Sequence, residues 1–224
     1  MTPRILYEDN HLLVAVKPHM LPSQADSSGD EDMLTRLKAY VKEKYNKPGE
    51  VYLGLVHRLD RPTGGVMVFA RTSKAAARLS QQIRTNQMQK TYLAVVNGRP
   101  PKEGQLEDWL VKDVKTNTVR VGTPAEGKHA LLSYRVLEQQ ADKSLVEVQL
   151  HTGRSHQIRV QFASRGWPLL GDARYGKAEG RHLALFAWKL ELTHPTKKES
   201  MVFTALPGDE HFGRFSAIQK LGEN

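Results

Sequence analysis

The chain has 224 residues, of which 39% are hydrophobic, enough for one sizeable core. Lysine and arginine number 33 against 24 aspartates and glutamates, which leaves a formal net charge of +9. This excess is spread along the chain and favours a polyanionic partner, because each neutralised phosphate releases counterions. The alternative is that the charge only keeps an ordinary basic enzyme soluble. Cysteine is absent, which excludes disulfides, a thiolate nucleophile and a cysteine zinc site.

The amino terminus does not have the pattern of a secretory leader. Charged and polar residues interrupt the apolar stretch MTPRILYEDNHLLVAV, and no run approaches the length of a membrane span. Together with the absence of cysteine, this predicts a soluble protein of the cytoplasm. We expect a single catalytic domain over residues 1–224 and a monomer.

The first elements in chain order are predicted to be a hairpin, a loop and a helix. Ile5–Tyr7 and Leu12–Val16 flank a polar turn and predict two paired strands. Residues 18–32 are rich in proline, serine and acids, which predicts a loop. A helix with Asp30 as its cap is expected next, because these apolar residues recur at helical spacing: Met33, Leu34, Leu37, Val41 and Tyr45.

The rest of the chain alternates strand patterns with two short helices. Gly54–Val56 and Val66–Ala70 predict strands on either side of a loop, and Thr72 with Ser73 caps a helix. Residues 99–129 predict a hairpin insertion. The remaining predicted strands are KTYLAVVNG, LLSYRVL, SLVEVQL, LALFAWKLEL and MVFTAL. Neighbouring hairpins with few helices predict an α+β fold with a mixed, largely antiparallel sheet, flanked by helices and loops.

The predicted loop with the sequence HRLDRPTGG concentrates reactive side chains. Asp60 lies between Arg58 and Arg61, with His57 nearby. Because a neighbouring cation stabilises the carboxylate form, such an aspartate can act as a nucleophile but not as a general acid. The two glycines that end the motif let a ligand or another backbone approach closely. The alternative is a structural ion pair that fixes the loop.

Two further stretches carry candidate site residues. In TGRSHQIR, Ser155 is predicted to cap a helix, with Arg159 one turn deeper. A buried Arg159 needs a carboxylate partner, and Asp60 is the one strong motif carboxylate upstream; the alternative is a surface helix with a basic face. In KTYLAVVNG, Tyr92 is either an aromatic residue of the core or, beside Lys90, a ring on which an extruded base stacks.

The motifs together resemble those of a known enzyme family. HRLDRPTGG, KTYLAVVNG, TGRSHQIRVQFASRGWPLLGDARYG and LALFAWKLELTHP occur in the order found in the RluA-type pseudouridine synthases, and the resemblance runs from ILYEDNHLLVAVKP to FTALP. It implies the pseudouridine synthase fold with a central RNA-binding cleft. It also implies an enzyme that isomerises uridine in structured ribosomal or transfer RNA, without cofactor or metal. The chain resembles the short, single-domain members that lack an amino-terminal RNA-binding module.

The same resemblance implies a role for several residues. Asp60 matches the essential aspartate, Arg159 the arginine that pairs with it, and Tyr92 the tyrosine that stacks on the target uracil. Leu185 matches an aliphatic residue near the base, and Arg58 a residue implicated in displacing that base. Two more motif residues are expected to contact the substrate: Arg154 and His57.

Three positions depart from the family pattern, and two other functions stay open. Gly65 stands where serine is usual, Gln161 where histidine is frequent, and Phe186 where histidine often follows the leucine. One alternative is a nucleoside or glycoside hydrolase, which needs a second carboxylate, with Asp172 as the candidate. The other is an RNA-binding protein that has lost catalysis. The sequence does not name the RNA or the uridine.

Overall fold

The computed structural model describes residues 3–177 and 182–223, and clustering of contacts divides the chain into two compact units. The first unit takes residues 1–88 and 189–205, the second residues 89–188 and 206–224. In chain order the elements are β1 Arg4–Glu8, β2 Leu12–Lys17, α1 Met33–Lys44, β3 Gly54–Leu55, β4 Gly64–Ala70, α2 Ser73–Arg84, β5 Gln89–Asn97, β6 Glu103–Asp113, β7 Thr118–Gly122, β8 Lys128–Gln140, β9 Lys143–Leu150, α3 Gln157–Ala163, β10 Leu185–Thr193, β11 Ser200–Thr204, α4 Glu210–Gly213 and α5 Ser216–Gly222.

The first unit is built on the predicted amino-terminal hairpin. Strand β2 pairs antiparallel with β1 on one side and with β4 on the other, and β3 pairs with the far end of β4. The side chains of β4 are buried along its whole length. The HRLDRPT part of the motif therefore lies in the loop between β3 and β4, as predicted, and the two glycines that follow begin β4.

Helix α1 begins where predicted, but its predicted cap is wrong. Asp32, not Asp30, accepts a hydrogen bond from the backbone N–H of Thr35 at 3.0 Å. Its second carboxylate oxygen accepts from the Thr35 hydroxyl at 2.7 Å. Asp30 lies two residues too early to reach the first turn, and it pairs with Arg61 instead. Helix α2 has the predicted cap, Thr72.

The second unit contains an antiparallel sheet, and a helix covers one face of it. Its strands pair in the order β5-β9-β8-β6-β7, and the predicted hairpin of residues 99–129 is β6 and β7. Helix α3 packs on one face of this sheet, where a buried cluster forms: Leu110, Val119, Ala130 and Val160. The expected α+β class with largely antiparallel strands is confirmed. Helices α4 and α5 lie beyond the predicted elements.

Among the described residues, no helix combines the length and apolarity needed to cross a membrane.

Candidate active site

The loop that carries Asp60 is held through its backbone. Four successive carbonyls, those of residues 59–62, each accept a hydrogen bond. The donors, in order, are Ser23 Oγ at 2.8 Å, Thr63 N at 2.9 Å, Lys17 Nζ at 3.1 Å and His19 Nδ1 at 2.8 Å. Ser23 Oγ also accepts from the N–H of Leu59 at 3.1 Å. A loop fixed at four successive carbonyls holds the backbone of its aspartate in place.

Lys17, at the end of β2, supplies the cation of this loop. Its side chain is fully buried, and its ammonium also donates to the carbonyls of Pro18 at 3.1 Å and Leu21 at 2.5 Å. Burial lowers the pKa of Lys17 to about 7, and attraction to Asp60 opposes this shift. The sequence analysis did not identify Lys17 as a site residue. The signal in the sequence was a lysine at the end of an otherwise apolar strand.

The two arginines that flank Asp60 in the motif differ in their surroundings. Arg61 forms an ion pair with Asp30 and donates to the Ser28 hydroxyl at 3.1 Å, so its guanidinium faces the loop that precedes α1. Arg58 is exposed. His57 is half-buried, and its Nε2 accepts from the N–H of Val68 at 3.0 Å, which places the ring proton on Nδ1.

Tyr92 lies in a row of residues that crosses four strands of the second unit. It pairs with Val148, which pairs with Tyr134, which pairs with Gly104, so all four lie on one sheet face. The Tyr134 ring contacts Phe162 of α3 at 5.2 Å between centroids, so Tyr92 lies on the face that α3 covers. A Cβ at Gly104 would come within 3.0 Å of the Tyr134 ring, which explains the glycine. Tyr92 is 6% exposed.

Arg159 is buried in α3 and has a carboxylate partner that the sequence argument did not name. Its Nε donates to Oδ2 of Asp172 at 2.8 Å, and its Nη2 donates to Oδ1 at 2.6 Å. Burial alone raises the pKa of Asp172, but the hydrogen bonds and charge of Arg159 outweigh it and lower that pKa below its usual range. Asp172 lies 13 residues downstream of Arg159.

The start of α3 differs from the prediction. Ser155 is exposed, and the residue before the helix is His156, at a φ of 51° and without a side-chain cap. The segment that precedes the helix is held by the first helical residue. Gln157 Oε1 accepts from the N–H of Arg154 at 2.9 Å and from the Thr152 hydroxyl at 2.8 Å. The predicted Ser155 cap is therefore wrong.

The remaining candidates occupy both units. Leu185 begins β10 and is 4% exposed. Arg154 is exposed and donates its Nε to the carbonyl of His129 at 2.7 Å. Asp60, Arg58 and His57 thus share one loop of the first unit, and the second unit contains these four: Tyr92, Arg154, Arg159 and Leu185.

Two of the three departures from the family pattern have a structural reason. Gly65 has a φ of 129°, a backbone conformation that favours glycine over serine. Gln161 is fully buried, and its Nε2 lies within hydrogen-bond distance of the Leu106 carbonyl at 2.9 Å and Asp108 Oδ2 at 2.8 Å. It therefore ties α3 to β6. Phe186 is a buried residue of β10, and nothing in the structure explains why phenylalanine stands there.

The chain is similar to one known protein family and to individual proteins of known sequence. The pattern of the family described as RNA pseudouridylate synthase matches residues 11–164. The dual-specificity RNA pseudouridine synthase RluA of Escherichia coli is 36% identical over 214 residues, which cover 92% of this chain and 93% of that protein. An uncharacterized RNA pseudouridine synthase of Chloroflexus aurantiacus is 42% identical over 166 residues, 72% of this chain. The match spans 52%, about half, of that relative's length.

Similar folds also occur among solved structures. The human RNA pseudouridylate synthase domain containing 4 superposes with a TM-score of 0.80 at 26% identity. The superposition covers 98% of this chain and 93% of that one.

Proposed function

This chain belongs to the RNA pseudouridylate synthase family, and we propose that it converts a uridine of structured RNA to pseudouridine with Asp60 as the catalytic carboxylate. The observation that carries this proposal is the anchoring of the Asp60 loop, in which four successive carbonyls are hydrogen-bonded and a buried lysine attracts the carboxylate. Because these backbone contacts already fix the loop, an ion pair of Asp60 is not needed to hold it, and we assign the Asp60 carboxylate a chemical role.

The proposed reaction is an isomerisation that needs one carboxylate and no redox partner. The bond between N1 of uracil and C1′ breaks, the base turns, and C5 bonds to C1′; the proton leaves C5, and N1 gains one. Asp60 either attacks C1′ or takes the 2′ proton. Deuterium at C2′ separates these roles, because a primary isotope effect on the single-turnover rate is expected only when the 2′ hydrogen is abstracted.

The proposed substrate is a uridine flipped out of a folded ribosomal or transfer RNA. A base inside a helix is out of reach, so loops and bulges, where unstacking costs least, are favoured. The net charge of +9 fits a phosphate backbone. The names of relatives support this class: one is called dual-specificity, and a protein of Nitrosomonas europaea, 33% identical over 232 residues, is called a ribosomal large subunit pseudouridine synthase.

The other proposed roles follow from placement and resemblance. We propose that Tyr92 stacks on the uracil, that Arg159 neutralises Asp60, and that Leu185 packs near the base. The exposed Arg58 is proposed to displace the target base. Two more residues are proposed to contact the RNA: His57 and Arg154.

Asp172, the candidate second carboxylate of the hydrolase alternative, is poorly suited to that role. Asp172 is buried, and both of its oxygens accept hydrogen bonds from Arg159. Its lowered pKa makes it a poor general acid, which a two-carboxylate hydrolase needs.

The test compares Asp60→Asn with Asp142→Asn, an exposed aspartate paired only with Lys143 among the described residues. We expect Asp60→Asn to lower pseudouridine formation by about 1,000-fold or more while RNA affinity stays within about threefold. Asp142→Asn should behave as the wild type. The substrate is RNA from a strain lacking the gene, mapped by carbodiimide primer extension. Unchanged activity in Asp60→Asn, or release of free uracil by the wild type, would overturn the proposal.

A further inference from the structure

The short segment Asp172–Tyr175 contacts both Arg159 and the β6–β7 hairpin of the second unit. We infer that this segment positions Arg159, and that the hairpin is part of the support that holds the guanidinium in place. The catalytic consequence of this inference rests on the proposed function. The positioning itself does not, because every contact that supports it lies within one unit of the protein as it stands.

Asp172, the first residue of the segment, binds the arginine directly. Its carboxylate takes two hydrogen bonds from the guanidinium, and Oδ1 also accepts from the N–H of Arg174 at 3.0 Å and of Tyr175 at 3.2 Å. The segment thus folds around its own carboxylate. The side chain of Asp172 is 0% exposed and that of Arg159 is 7% exposed, so neither charge has ready access to water as a substitute partner.

Tyr175 links the guanidinium to the hairpin. Its ring lies 5.1 Å from the guanidinium carbon of Arg159, a distance at which a cation and an aromatic face attract each other. Its hydroxyl accepts from the N–H of Val119 in β7 at 2.8 Å. One side chain therefore contacts the arginine with its ring and the backbone of the hairpin with its oxygen.

The same hydroxyl also fixes the residue that precedes α3. The oxygen of Tyr175 lies 2.6 Å from Nδ1 of His156. That oxygen also accepts from Val119, and it either donates its own proton to Nδ1 or accepts a second hydrogen bond from it, depending on the histidine tautomer. Burial raises the pKa of Tyr175, so the hydroxyl keeps this proton at neutral pH. Tyr175 therefore constrains the start of the helix that carries Arg159.

Arg174 fastens the segment to the hairpin tip. Its guanidinium donates to the carbonyl of Thr116 at 3.3 Å and to the carbonyl of Asn117. The tip between β6 and β7 is exposed and includes Lys115, and Val114 is 82% exposed. RNA that binds this tip would rest on the structure that holds Arg159.

The first experiment measures the positioning without any substrate. In the folded, ¹⁵N-labelled protein, hydrogen exchange of the Arg159 Nε–H is followed by NMR, and Arg159→Lys identifies the signal by its loss. We expect Tyr175→Phe, which keeps the ring but removes the hydroxyl, to speed this exchange by about 3- to 10-fold. Arg174→Gln should act in the same direction. Unchanged exchange in Tyr175→Phe would overturn the inference.

The control breaks a different contact on the same hairpin. Glu126 pairs with Arg120 at 2.9 Å and accepts from the N–H of Thr123 at 3.2 Å. We expect Glu126→Gln to leave the Arg159 signal unchanged, because the Asp172–Tyr175 segment is not involved. Equal acceleration in Glu126→Gln and Tyr175→Phe would mean that any disturbance of the hairpin has this effect, which would also overturn the inference.

The second experiment asks whether Tyr175 acts through Arg159 in the reaction. We expect Tyr175→Phe to slow single-turnover pseudouridine formation by about 3- to 10-fold while the Kd for the same RNA stays unchanged. In the Arg159→Lys background, the same substitution should have no further effect. A full additional loss there would contradict a role through the arginine. If the wild type made no pseudouridine, the proposed function would fail while the exchange measurement still decided the positioning.

Discussion

Lys17 shows how one buried residue determines the setting of the candidate catalytic aspartate. Its ammonium donates to three backbone carbonyls, one of which, that of Arg61, lies in the loop that carries Asp60. Burial removes water from the ammonium, so its charge depends on these carbonyls and on the aspartate. A strand residue distant in sequence therefore contributes to the electrostatics of the loop.

The pKa of Lys17 predicts a pH dependence of stability. The pKa is about 7 in the folded protein and 10.5 when the lysine is exposed, so between these values the unfolded chain binds more protons. The free energy of unfolding of the wild type minus that of Lys17→Met should thus fall by an amount on the order of a few kcal/mol as the pH drops from about 10 to 7. Below pH 7 this difference should be constant. Urea unfolding at each pH measures it. A difference that stays flat from pH 7 to 10 would contradict this prediction.

Helix α1 illustrates what decides the boundary of an element. Two aspartates, Asp30 and Asp32, precede the helix, and aspartate is a common cap. The choice of Asp32 depends on the backbone, because only its carboxylate meets the N–H and hydroxyl of Thr35. Asp30 instead finds Arg61, which is 31 residues away.

A pair of substitutions tests this assignment. Asp32→Ala should lower the free energy of unfolding by about 1 kcal/mol, since it removes a helix cap. Asp30→Ala should lower it by less than Asp32→Ala does, since it breaks an ion pair that is partly exposed on both sides. Thermal or urea unfolding of the two variants gives the comparison. Equal losses would mean that Asp32 is not the dominant cap.

At the scale of the whole molecule, charge is the property that bears on function. The net charge of +9 is spread along the chain, and exposed cations occur in both units, Arg58 in the first and Arg154 in the second. Counterion release then makes affinity for RNA depend strongly on salt.

We accordingly expect the affinity for substrate RNA to fall by about tenfold or more between 50 and 200 mM salt. The measurement is filter binding or fluorescence anisotropy at several salt concentrations. Arg58→Gln should make the slope of log Kd against log salt shallower by about one unit at most. An affinity that did not respond to salt would contradict the view that the charge serves RNA binding.

The positions of the strands along the chain could be predicted because each strand pattern is local in the sequence. Alternating apolar residues predict β8 and β9, and the loop between β3 and β4 is bounded by apolar runs on both sides. The candidate residues on motif loops were predictable for the same reason. Lys17 and the pairing of Asp172 with Arg159 were not, because each depends on a partner brought close by folding across strands or along a loop.

By itself, the sequence determined the α+β class, the hairpins, the family and the chemistry-bearing loops, since each of these is written in short-range pattern or motif spacing. Only the tertiary structure decided which aspartate caps α1, that the buried Lys17 lies beside the Asp60 loop, and that Asp172 binds Arg159. The physical reason is that a buried charge takes whichever partner the packed backbone brings within hydrogen-bond distance, and spacing along the chain does not contain that information.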